Sequence, residues 1–510
     1  MKLAKRTPEY GAAITGQPGP AAVWIWIVPL CLLLGFLAAE SEVPVGFLSL
    51  IAIPATLLLF LALRHATRGA VAMSANVSLW HWLWLLALAG SLVFRQRAVN
   101  EILENALDGW AMFRVVIEVL TTILLLGYLA VRRIHWVGSM ARGVIGALTF
   151  FGLVCVASTA WSVFPLWTLY KSCEYLIDIA LVAAVVETAG SVAAFENFLN
   201  WTWALYGTLL AVVWIEAIVW PKEALYQYVF ASGVLGARLN GVLPRVSSND
   251  IGTYGAILTM IALCRLLPIA GARHNAAWYA FLFAAGLITV IYSQTRAAIA
   301  AILFGAFLAV ILSKRRILGA MATTALSLVL VLSATSGLVV EFLTRGQSAE
   351  QIESFSSRMD WWSFAIQKLM ERPLTGFGAY AGGRFAVMAS LGGALSGNST
   401  MHSDYLETII GTSFWGMVPL LGAITGAWLL SIRFLRHPDS SDQERQLAYE
   451  SAVILGLLTV RSVFNTVFTW HPPLHFLAVL GYIEYRRRRQ LEHCVPISNY
   501  SLEAIRTVGD

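Results

Sequence analysis

Runs of mostly apolar residues recur along this chain from Ala21 to Ile483, many of them near the roughly 20 residues a helix needs to cross a bilayer. They leave little room for anything but a membrane fold. Charged residues make up 13% of the 510, against roughly 25% in an ordinary soluble domain, and no stretch is polar enough to form such a domain. The chain reads as a single integral membrane domain over 1–510, all-α and polytopic. Its net charge of +6 does not point to nucleic acid, because Lys and Arg fall in short clusters between apolar runs, as topology signals do. Cys31, Cys155, Cys173, Cys264 and Cys494 lack metal-type spacing, which argues against zinc or structural disulfides. Lys2, Lys5 and Arg6 ahead of the first run resemble a signal peptide. A second run follows almost at once, so the first helix is expected to remain uncleaved.

Candidate spans are 21–39, 43–63, 79–94, 110–131, 143–160, 166–186, 198–220, 251–267, 276–293, 296–312, 317–339, 405–434, 447–467 and 474–485. That makes about fourteen transmembrane helices, within a range of 12–14. Positive charge flanking spans stays in the cytoplasm. With both termini inside, the inner loops hold Arg64 with Arg68, Arg132 with Arg133, Arg265 with Arg273, Lys314 through Arg316, and Arg433 with Arg436. A cytoplasmic tail, 486–510, opens with Arg486 through Arg489. Two outer segments stand out by length, 221–250 and 341–404, and the second is too long for a simple connector. Within it 357–372 predicts a helix along the headgroups, ended by Pro373 and followed by glycine-rich turns through Gly376, Gly378, Gly382 and Gly383.

Charge at a membrane edge is expensive, and it is either paired or functional. Arg296, at the outer mouth of a span, can grip a diphosphate through parallel hydrogen bonds or snorkel to headgroups. Arg238 and Arg245 precede Ser247, Ser248 and Asn249, which read as caps of the next span. Two arginines beside the positive end of a helix dipole suit an anion. His402 lies where the long segment re-enters the membrane, and its imidazole can take a proton near neutral pH. Asp404 and Glu407 are placed to orient it or to act instead, and Arg358 and Arg384 are further candidate anion contacts. Arg114 with Glu118, at i and i+4, reads as a self-neutralising pair. Lys171, Glu174 and Asp178 share a helical face and read as a structural network, as do Arg461 with Asn465 and His471 with His475. The sequence has no P-loop, dinucleotide turn, nucleophile elbow or metal-ligand cluster, so no metal or cofactor is expected.

The order of these motifs resembles a family. A polar stretch at 238–249 is followed by Ser-Gln-Thr-Arg at 293–296, Ser-Arg-Met-Asp-Trp-Trp at 357–362, Arg-Pro-Leu-Thr-Gly-Phe-Gly at 372–378 and His-Ser-Asp-Tyr-Leu-Glu-Thr-Ile-Ile-Gly at 402–411. With Ser-Thr-Ala-Trp-Ser-Val-Phe-Pro at 158–165, the pattern is similar to the bacterial O-antigen ligase and Wzy-type polysaccharide polymerase superfamily. Ser403 stands where that family commonly has Asn.

The resemblance implies a metal-independent glycosyltransferase of the bacterial inner membrane, active on its periplasmic face. Its donor would be an oligosaccharide on undecaprenyl diphosphate and its acceptor a sugar hydroxyl. His402 would be the base, with Arg296 and Arg238, or else Arg245, holding the diphosphate. A polymerase of exopolysaccharide or O-antigen is the leading reading. A ligase onto lipid A core is the alternative, and a flippase of lipid-linked oligosaccharide a more remote one. Membrane lipids, chain-length regulators and export proteins are the implied partners.

Overall fold

The computed structural model describes residues 77–92, 99–105, 108–226, 237–269, 274–313, 358–393, 400–437, 439–469 and 473–494. All lie within the compact unit Ala72–Asp510. The expected spans 21–39, 43–63 and 317–339, the start of the long outer segment and the end of the tail fall outside the described residues.

Twelve principal helices are described. They are α1 (Leu79–Leu92), α2 (Gly109–Arg132), α3 (Gly143–Ala157), α4 (Pro165–Thr188), α5 (Val192–Val219), α6 (Ser248–Leu266), α7 (Ala276–Ser293), α8 (Arg296–Leu312), α9 (Arg358–Leu369), α10 (Asp404–Arg436), α11 (Asp442–Phe464) and α12 (Leu474–Cys494). The only sheet among the described residues is a ribbon of two-residue strands, β1 (Leu225–Tyr226) antiparallel to β2 (Arg238–Leu239). By length and composition six described helices, α2, α3, α5, α7, α10 and α11, can cross a membrane, and α1 and α8 are shorter apolar helices.

Helix α2 shows why the surrounding medium must be lipid. Its outward face is Val116, Val119, Leu120 and Ile123, the last 62% exposed. Arg114, Glu118 and Thr121 are instead buried against the bundle. A soluble protein would not leave such an apolar face open, whereas in a bilayer polar side chains turn inward. Arg114 bonds Glu174 of α4, at 2.7 Å from Nε, and not its helical neighbour Glu118. Lys171 also reaches Glu174, at 2.7 Å. The expected i, i+4 pair is thus replaced by an interhelical one, because Glu174 can accept both cations at once.

Where charges do not tie helices together, small residues do. Helices α6 and α7 pack closely, and a Cβ on Gly286 would lie 2.5 Å from the Thr259 hydroxyl and 2.9 Å from the Gly255 carbonyl. Close approach of this kind is how membrane helices gain contact without a hydrophobic driving force. Helix starts follow their caps: Asp108 for α2, Ser191 for α5, Ser247 for α6, Asn275 for α7 and a Ser441–Glu444 capping box for α11. Helix α12 runs on past Tyr485 to Cys494.

Candidate functional site

Three of the sequence motifs form one knot. The Phe377 and Gly378 amides donate to the Ile410 and Gly411 carbonyls at 2.9 and 2.8 Å, and the Val163 amide donates to the Phe377 carbonyl at 2.9 Å. Ala379 donates to the Ser158 hydroxyl, and Thr168 to the Ala379 carbonyl. Helix α10 kinks just beyond its borrowed carbonyls, at Ser413 (φ 54°, ψ −148°), whose hydroxyl bonds the Pro373 carbonyl. Gly378 holds φ +96°, and a Cβ there would strike Ser162, so only glycine threads this turn. The knot anchors the segment leading to 400–404 between α10 and the start of α4.

A second set of bonds assembles the arginines. Gln294, itself at φ 51° between α7 and α8, donates to the Ala237 carbonyl at 2.9 Å. The Thr295 hydroxyl donates to the Ser248 carbonyl at 3.0 Å. One turn therefore fixes β2, the start of α6 and the start of α8, and with them Arg238 and Arg296. Arg238 donates to the Ser293 carbonyl at 3.2 Å and the Asn249 side-chain oxygen at 3.3 Å. Arg461 of α11 donates to the Asn249 carbonyl at 2.9 Å and to the Thr253 hydroxyl at 2.9 and 3.1 Å. Arg358, opening α9, donates to the Phe464 carbonyl at 3.1 Å, one residue ahead of Asn465.

His402 sits among them, half-buried, with φ 54°. A non-glycine residue held there stores roughly 1–3 kcal/mol of strain, and such strain gathers at functional sites. Trp361 lies over the imidazole, ring centroids 6.4 Å apart and 29° from parallel. The Thr400 hydroxyl is 3.5 Å from Nδ1, and the Asn465 side chain flanks the ring. Burial, then the Arg358 charge, push the imidazole down to about 3; Arg461 and Arg238 act in the same direction, against Asn465. Arg358 is lowered to about 10 by burial, with Arg296 and Arg238 adding to the effect. Three guanidinium groups thus act on one imidazole, and a fourth, Arg296, acts on Arg358.

The remaining expected residues lie apart from that ring. Asp404 spends its carboxylate on the Val467, Phe468 and Thr469 amides, at 2.7 to 3.0 Å, and on the Thr469 hydroxyl at 2.7 Å. It holds the turn after α11 and leaves little lone-pair capacity for a substrate. Glu407 accepts from the Met401 amide at 2.6 Å and packs against Gly383. Arg384 is buried with its guanidinium 5.1 Å over the Trp167 ring. Arg245 is exposed. Arg461, in the last turn of α11, and Asn465, just beyond it, were expected to be structural, and their partners across the bundle were not readable from spacing.

Residues 280–421 match the family model described as O-antigen ligase. The match takes in Arg296, Arg358, Arg384, His402, Asp404 and Glu407; Arg238, Arg245 and Arg461 lie outside it. No curated protein matches the chain.

Proposed function

We propose, from the premise that residues 280–421 belong to the O-antigen ligase and Wzy-type superfamily, that this membrane protein is a glycosyltransferase acting on lipid-linked glycan. The observation that carries the reading is the convergence of Arg238, Arg358 and Arg461 on His402, with Arg296 acting on Arg358. The donor would be a glycan on undecaprenyl diphosphate, and the site would face the periplasm in a topology of about fourteen spans, with both ends inside. The acceptor oxygen forms a bond to the anomeric carbon from the side opposite the diphosphate. The bond from that carbon to the diphosphate oxygen breaks, and its electron pair leaves with the lipid diphosphate. The acceptor's proton passes to His402. Fixed guanidinium charges stabilise the negative charge growing on the leaving group, already in place before the reaction. Asn249 ties two of them to one point, since its carbonyl meets Arg461 and its side chain meets Arg238.

The leading reading is a polymerase of a surface polysaccharide. The alternative, compatible with the same family match, is a ligase that transfers finished glycan to lipid A core. Deletion distinguishes them. Loss of the polysaccharide ladder from both the lipid carrier and the cell surface supports the polymerase. A ladder kept on the carrier but missing from lipid A supports the ligase. Purified protein given lipid-linked oligosaccharide and an acceptor glycan in detergent tests the enzyme claim itself. Longer glycans are expected, with the rate unchanged by EDTA; unchanged substrate would defeat it.

A further inference from the structure

A base held as far down as His402 is a poor match for a sugar hydroxyl, because a proton acceptor works best when its affinity lies near the working pH. Burial is the largest cause of that weakness, and the charges around the ring add a part that an anion can offset. Arg358 and Trp361 approach from α9, Arg461 and Asn465 from the end of α11, Arg238 from β2, and Thr400 from the histidine's own segment. Arg296, from α8, acts on Arg358 in turn. The carboxylates of the neighbourhood form their hydrogen bonds elsewhere, and Asp250 and Asp404 act on Arg461 rather than on the imidazole. Asp404 caps the turn at Val467–Thr469, Glu407 takes the Met401 amide, and Asp250 of α6 accepts the Ser247 hydroxyl at 2.7 Å. The dominant electrostatic influence on the imidazole is therefore positive, and its source is the same set of groups proposed to hold the donor.

We infer that the donor's diphosphate is itself the activator of His402: by filling the ring of guanidinium groups with negative charge, it makes the imidazole a competent base only once the donor is bound. The inference rests on the proposed transferase reading and adds an order to it. In the empty site water or an acceptor hydroxyl meets an imidazole too weakly basic to take its proton. With two phosphate charges seated among Arg238, Arg296, Arg358 and Arg461, about half of the positive charge bearing on the ring is offset. An opposite charge within about 4–6 Å moves such a group by about 1–3 units, enough to bring His402 back towards its ordinary range near 6.5. Deprotonation of the acceptor then waits for the leaving group, and donor binding comes first.

The signature is proton uptake on donor binding. The probe is a citronellyl methyl diphosphate diester, which lacks the phosphate ionisation near 6 of a monoester, so any proton taken up belongs to the protein. Calorimetric titration of the full chain in detergent at about pH 6, in two buffers of different ionisation enthalpy, reads that uptake directly. Up to about half a proton per diester bound is expected, falling towards zero at about pH 8. His402→Gln is expected to bind the diester with almost no uptake. Arg358→Gln, which lifts part of the field beforehand, is expected to show a smaller uptake at higher ligand concentration. Diester binding without uptake in the unaltered protein, or equal uptake in His402→Gln, would overturn the activation while leaving the diphosphate site intact. Failure of the diester to bind at all would overturn the site and the inference with it.

Discussion

Arg265 and Arg461 are buried arginines on the neighbouring helices α6 and α11, and they are held in opposite ways. Arg265 lies at the end of α6 expected to face the cytoplasm. Its guanidinium grips Glu450 at 3.0 and 2.9 Å and also bonds the Tyr279 hydroxyl and the Asn200 amide oxygen. The same end carries Arg486 with Glu444, and Arg488 with Glu187 at 2.6 Å. Arg461, only 1% exposed, donates to a carbonyl and a hydroxyl and joins no carboxylate among the described residues. Arg358 is treated likewise. Burying a charge opposite neutral dipoles costs several kcal/mol that an ion pair would recover in part. One end of the bundle balances its arginines with carboxylates; at the other, Arg461 and Arg358 meet carbonyls and a hydroxyl, as the proposed diphosphate site requires.

The largest expected effect is on the group that ring surrounds. His402→Ala should insert and fold, yet lose transfer activity by about 10²–10⁴-fold, the usual contribution of a positioned base, with unreacted lipid-linked glycan accumulating in cells. Next come the two contrasted arginine environments. Arg461→Gln is expected to slow transfer by about 10²–10³-fold, as loss of one donor to a developing oxyanion does, while leaving the thermal unfolding midpoint unchanged or raised. Glu450→Ala strands Arg265 and should destabilise the fold by about 3–5 kcal/mol, with normal activity per folded molecule. A fall in midpoint for Arg461→Gln as large as that for Glu450→Ala would erase the contrast.

His402 sharpens it through pH. Its folded proton affinity, pushed down to about 3, lies below the unfolded value of 6.5, so the unfolded chain takes the proton first as pH falls. Stability without donor should decline from about pH 6.5 towards about 3, since it rises with pH wherever the unfolded state binds more protons. His402→Gln should flatten that part of the midpoint profile. An unchanged slope would mean that His402 is not held below its unfolded value.

Much of this was legible beforehand because membrane folding writes itself in long patterns. The described helices α2, α3, α7 and α8 match the expected spans within a few residues, since length and hydropathy alone decide them. Arg238, Arg296, Arg358 and His402 stood out because each is a charged or titratable group at a membrane edge. What spacing did not reveal was pairing across helices. Arg114 was matched to Glu118 because i, i+4 is all that one helix displays, and Glu174 enters only when α2 and α4 pack. Arg461 looked structural because Asn249 and Thr253 lie more than 200 residues away in sequence. Asp404 looked available because nothing local predicts that the turn after α11 will use its oxygens.

The smallest expected effect concerns Arg245, which sequence alone did not separate from Arg238 as a diphosphate ligand. Both precede the start of α6, but the bonds around them differ. Arg238 is half-buried on β2, drawn to the Ser293 carbonyl and to Asn249, the residue that also holds Arg461. Arg245 is exposed, and a solvated cation interacts with a partner by only about 0–1 kcal/mol. Arg245→Ala should therefore change the rate with saturating donor by less than about fivefold, with an effect that shrinks as salt is raised. Arg238→Ala should cost about 10²-fold at any salt concentration, because a charge fixed in the ring is not screened in the same way. If the two substitutions proved equal, or if Arg245→Ala were the more damaging, the ring would have to be redrawn with its upstream member on the loop before α6. The fixed geometry that separates the two ends of the bundle would then rest on Arg296, Arg358 and Arg461 alone.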